Sequence, residues 1–225
     1  MKLVLNTSII LKILFYAIII YFIYLLTLIT IQYIPINYEV AFLNLKQKEI
    51  KYLHYKVAFF SHVYSSIFVI SIALLQFSKT IRNQFKSIHK LSGKIYVLLI
   101  LFIASPSGLI MSFHANGGLI SKISFSILSV LWFYFTFKAY SSIREGNYQN
   151  HKYFMMRSYA LTLSAISLRL FKYLLVLIFE MSPIDIYKII SVLSWTINLA
   201  IVEIIIKNSR IKNLKIQTYE VLKNR

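Results

Sequence analysis

The stretch HKLSGKIYVLLILFIASPSGLIMSFHANGG, from His89 to Gly118, decides the fold. It opens on histidine and lysine and then runs apolar for about the 20 residues that a helix needs to cross a bilayer. Ser105-Pro106-Ser107-Gly108 interrupts it part-way, and Gly117-Gly118 closes it with a tight turn. Proline removes one backbone hydrogen bond, which small hydroxyl residues can re-satisfy inside a membrane helix. A second basic, histidine-bearing entrance, His151-Lys-Tyr-Phe-Met-Met-Arg157, opens a later apolar run.

Composition points the same way. Hydrophobic residues make up 58% of the 225-residue chain, aromatics 16%, and mean hydropathy is +0.68. A soluble domain holds roughly 45–50% apolar residues. The 25 Lys and Arg outweigh seven Asp and Glu, for a net charge of +18. In a soluble chain that excess would suggest nucleic acid. Here the bases lie between apolar runs, so anionic lipids are the expected partner and nucleic acid is not. Cysteine is absent, which excludes disulfides, thiolate metal sites and a cysteine nucleophile.

Outward from the central stretch, hydropathy predicts an all-α, single-domain bundle of six spans. They cover about 13–34, 57–77, 95–113, 120–140, 157–179 and 188–206, followed by a basic tail at 207–225. The first is too long for a signal-peptide core and lacks a cleavage-like site, so it reads as an uncleaved span. Residues 35–56 read as an interfacial loop, partly helical. Orientation follows the bases: placing both termini in the cytoplasm puts most Lys and Arg on the inner side.

Between the second and third spans, Arg82, Lys86, Lys90 and Lys94 recur every fourth residue. On one helix they would form a stripe of mutually repelling charges. Such a stripe makes sense against anions, with Lys152 beside the second entrance as a further candidate. Arg169 and Asn198 fall at similar depth in the last two spans, and so do Arg157 and Glu203. Both pairs are expected interhelical ties, equally readable as a substrate or proton path.

Dinucleotide, P-loop, zincin and nucleophile-elbow motifs are missing, and the acids are too scattered for a hydrolytic pair. What remains is four histidines in or beside spans: His89 and His151 at the inner entrances, His62 and His114 toward the outer face. Facing imidazoles across a bundle are the ligand set of haem b. Two pairs would make a transmembrane electron path, with quinone as a further partner. Alternatively each histidine ties two helices or sits among head groups. Parity puts His89 and His151 at one depth, and they are expected to approach each other.

Gln76-Phe77, His89-Lys-Leu-Ser-Gly93-Lys-Ile-Tyr96, Pro106-Ser-Gly108, Gly117-Gly118 and Trp132 come in one order. His151, Met156-Arg157-Ser-Tyr159-Ala-Leu161, Leu168-Arg169-Leu170 and Trp195…Asn198…Glu203 continue it. Together they resemble the bacterial membrane proteins grouped as domain of unknown function 2306, over roughly 57–206. That resemblance implies a polytopic protein of the bacterial inner membrane and brings no established reaction. The arrangement is also similar, more weakly, to ascorbate-reducible b-type cytochromes. His62, His89 and His151 stand where the family pattern has histidines, whereas His114 departs from it. The functional expectation is a haem-binding electron-transfer protein. The alternative is a non-catalytic module that binds or transports a small molecule or anionic lipid.

Overall fold

The computed structural model describes residues 7–223, and among them it is predominantly helical with no strand. Two compact units divide the chain, Met1–Met111 and Ser112–Arg225. Five helical stretches are long and apolar enough to cross a membrane: Leu53–Phe77, Lys86–Ser112, Gly118–Arg144, Tyr148–Ile178 and Pro183–Ile211. A shorter apolar helix covers Tyr16–Ile31. At most 39% of the most apolar part of any of the five is buried. Such faces suit hydrocarbon as the surrounding solvent.

In the first unit, α1 (Thr7–Ile31) packs on α2 (Leu53–Phe77). The connection between them is a folded cap and not a surface loop. Two 3-10 turns, Ala41–Lys46 and Glu49–Lys51, place Leu43 and Ile50 in a core with Tyr33, Tyr55 and Phe59. The Tyr33 ring meets Phe59 edge-on, and its hydroxyl accepts from the Phe42 amide at 3.2 Å. Lys46 is only 2% exposed and is paired with Glu49 at 3.2 Å. A buried ammonium needs such a partner.

Past α2, Ser78 caps the short α3 (Lys79–Gln84) by accepting from the Ile81 amide. Phe85 then leaves helical geometry at φ −116°, ψ 57° before α4 (Lys86–Leu99) begins. This corrects the single four-residue basic stripe: Arg82 stands on α3, apart from Lys86, Lys90 and Lys94 on α4. The break lets α4 turn back along α2. From α4 the chain passes through a π-helical turn, Ile100–Ala104, into α5 (Ser105–Ser112). The wide turn falls just before Pro106, where the regular ladder loses a donor.

The second unit holds α6 (Gly118–Arg144), α7 (Tyr148–Thr162), α8 (Ser164–Ile178) and α9 (Pro183–Lys223). Gly117 and Gly118 both take positive φ, +85° and +72°. A Cβ on Gly117 would collide with the Ser121 hydroxyl, so the turn requires glycine there. α7 starts nine residues before the expected boundary of 157, because Asn147 caps it by accepting from the Asn150 amide at 3.0 Å. Hydropathy marks where a helix enters hydrocarbon, whereas a cap marks where it starts. For the same reason α9 outlasts its apolar run. No Gly or Pro follows Pro183 to stop it, and the 207–223 part of the expected tail continues the helix.

Candidate functional site

In the first unit two polar nodes join α2 to the helix that follows it. At the far end of α2, the buried Gln76 amide donates to the Ser92 hydroxyl at 2.6 Å and to the His89 carbonyl at 3.1 Å. Ser92 in turn donates to the Ile88 carbonyl at 2.6 Å. Gly93 lies under this amide: a Cβ there would stand 3.1 Å from Gln76 Oε1. The order Gln…His-x-x-Ser-Gly therefore has a geometric reason, namely an amide pressed against a helix that must be bare at one position. His89 lies inside α4, one turn from its start.

The second node is at the π turn. His62 Nδ1 lies 2.8 Å from the Ala104 carbonyl oxygen, and Ser107 Oγ reaches the same carbonyl at 3.2 Å and that of Ile103 at 2.5 Å. A carbonyl only accepts, so Nδ1 carries the proton, and in neutral imidazole Nε2 is left with a lone pair. His62 precedes Gln76 by fourteen residues, about 21 Å along the α2 axis. His62 and His89 thus belong to opposite ends of their helix pair and do not share a ligand.

In the second unit α6 and α7 form an antiparallel pair joined by a polar ladder. His151 Nδ1 lies 2.8 Å from the Ala139 carbonyl, Ser158 Oγ 2.7 Å from Thr136 Oγ1, and Trp132 Nε1 donates to Thr162 Oγ1 at 3.1 Å. His151 is the first rung, again as the Nδ1–H tautomer with Nε2 unprotonated. It sits within α7 and not in the loop before a span. His114 lies in the turn ahead of α6, so α6 separates it from His151 by its full length.

Arg157 on α7 and Glu203 on α9 form a two-point fork, Nε to Oε1 at 2.5 Å and Nη2 to Oε2 at 2.8 Å. The guanidinium also stands over the rings of Phe135 and Phe154, at 5.8 and 5.4 Å. Such stacking suits a planar cation. The mid-depth tie differs from the expected Arg169–Asn198 pair. Ser167 Oγ donates to Asn198 Oδ1 at 2.9 Å, and Asn198 Nδ2 donates to the Ala160 carbonyl at 3.1 Å. Arg169 donates to the Ala165 carbonyl, one turn back on its own helix.

Several of these groups were passed over as motifs in the sequence. Thr136, Ser158, Thr162 and Ser124, which accepts from Trp195 Nε1 at 2.9 Å, are small hydroxyls inside apolar runs. Ser158 and Thr162, four residues apart on α7, mark one helix seam. Lys152 is exposed, as are Lys86, Lys90 and Lys94. Among the described residues no three His, Cys, Asp or Glu gather as a metal cluster.

A family model described as "Predicted membrane protein (DUF2306)" matches residues 59–206. No curated protein and no solved structure matches the chain.

Proposed function

The chain belongs to the DUF2306 family of membrane proteins, and from that premise we propose that it is a haem b-binding electron-transfer protein of the bacterial inner membrane. In this reading α1 is the first of six spans and both termini lie in the cytoplasm. One observation carries the haem assignment. His62 and His151 each commit Nδ1–H to a backbone carbonyl, at 2.8 Å in both cases. That arrangement fixes ring orientation and raises the basicity of Nε2, the second-shell pattern of histidines that ligate metal. The chemistry of the donor set therefore fits haem iron. Nε2 of His62 in the first unit and Nε2 of His151 in the second are each a candidate ligand, of separate haems.

Bound haem b would supply a one-electron carrier. The chain's own contribution is orientation and a low-dielectric surround. Ser107 shares the Ala104 carbonyl with His62, and the Thr136–Ser158 rung locks α7 beside His151. A second reading, a non-catalytic binding or transport module, draws on the open cleft in the cap lined by Gln32, Pro35, Asn37 and Glu39.

The test is titration of detergent-purified protein with haemin, followed by the shift of its Soret band. The haem reading expects saturable uptake that His151→Ala weakens at least ten-fold, while Lys152→Ala leaves it unchanged. Uptake of equal strength in wild type, His62→Ala and His151→Ala would refute it.

A further inference from the structure

Lys86, Lys90 and Lys94 drift slowly around α4, at about 40° per step of four residues. Ser92 and Gly93, which lie against Gln76, mark the buried face of α4. All three are exposed. Beside them runs an apolar stripe at i, i+7 and i+11, Leu91, Leu98 and Phe102, exposed by 63%, 55% and 73%. The first unit contains only two acids, Glu39 and Glu49, both in the cap before α2. Glu49 is already paired with Lys46. The lysines lie beyond the other end of α2, a helix of about 37 Å, so no acid of their own unit neutralises them.

Geometry also sets their depth. The stretch Lys86–Ser112 has 27 residues, about 40 Å of helix against a hydrocarbon core of roughly 30 Å. Its first turns therefore stand among head groups while Leu98 and Phe102 stand among acyl chains. Lys94, a turn deeper, can extend its ammonium back along its own stem.

We propose that this face of α4 is a binding site for one anionic phospholipid, its phosphate held by Lys86, Lys90 and Lys94 and an acyl chain lying along Leu91, Leu98 and Phe102. The site is independent of the haem assignment. It needs only the charge stripe, the apolar stripe beside it and the depth at which they meet.

The experiment reconstitutes the full chain in phosphatidylcholine vesicles carrying a trace of spin-labelled phosphatidylglycerol or spin-labelled phosphatidylcholine. The immobilised fraction gives the relative association constant of the two lipids. A basic residue near the surface contributes a factor of about five, so wild type should prefer phosphatidylglycerol by about five-fold or more. The triple variant Lys86→Gln/Lys90→Gln/Lys94→Gln should lose that preference. The matching triple to arginine, which keeps the charge, should retain it. Equal association of the two lipids with wild type would overturn the proposal and leave the lysines to a soluble anion. So would a preference that survives the glutamine triple, or one lost in the arginine triple.

Discussion

At the scale of single residues, the haem assignment rests on where two protons sit. His62 and His151 each face a carbonyl through Nδ1, so the neutral ring must be the Nδ1–H tautomer. Nitrogen-15 NMR of histidine-labelled, haem-free protein should show Nδ1 protonated and Nε2 bare at both positions. Protonated Nε2 at either would remove the lone pair that a ligand needs. Glycine supplies a second residue-scale prediction. Gly117→Ala meets both a left-handed backbone and the Ser121 hydroxyl, and the strain is about 1–2 kcal/mol before any clash. Gly93→Ala meets only the Gln76 amide, so Gln76→Ala in the same chain should recover part of its loss. Thermal unfolding in detergent ranks these variants, with Gly117→Ala the least stable. Gly93 was legible in the sequence as part of a motif. Its reason was not, because the residue it admits lies seventeen positions away.

Among elements, the fork between α7 and α9 is the interaction the sequence displayed most clearly. Arg157 and Glu203 are opposite charges at matched depth, and depth can be counted from span ends. Glu203 remains 46% exposed, so Glu203→Gln should cost only about 0.5–1 kcal/mol. The charge-swapped pair Arg157→Glu/Glu203→Arg should be more stable than either single variant. Asn198 is different, since both ends of its amide are bonded. Asn198→Leu strands the Ser167 hydroxyl and the Ala160 carbonyl, and a larger loss of about 1–3 kcal/mol is expected. If Asn198→Leu proved milder than Glu203→Gln, the mid-depth tie would be wrongly placed. The sequence paired Asn198 with Arg169 because depth was readable and azimuth was not. The amide of Asn198 meets Ser167 and the Ala160 carbonyl, groups whose azimuth no hydropathy count reveals. Helix starts were hidden for a related reason. Asn147 caps α7 inside a polar stretch, where hydropathy carries no signal.

For the whole molecule, apolar runs alone made the helical membrane class legible, and the family match agrees with it. The cap between α1 and α2 was not legible, because a buried Lys46–Glu49 pair and interleaved aromatics resemble an interfacial loop in composition. The proposed orientation is open to direct measurement, since the chain has no cysteine of its own. Single cysteines at Ala115 and Met181 should react with an impermeant thiol reagent applied to intact cells. Those at Ser87 and Tyr148 should react only after the cells are opened. Labelling of position 87 in intact cells would reverse the orientation and place the α4 lysines outside. The functional claim faces its most direct test in the native protein, purified from membranes without added haemin and examined by its reduced-minus-oxidised absorption spectrum. A haem protein should show the sharp α and Soret bands of a histidine-ligated b haem, lost on His151→Ala in protein that still folds. A featureless spectrum from well-folded wild-type protein would contradict it.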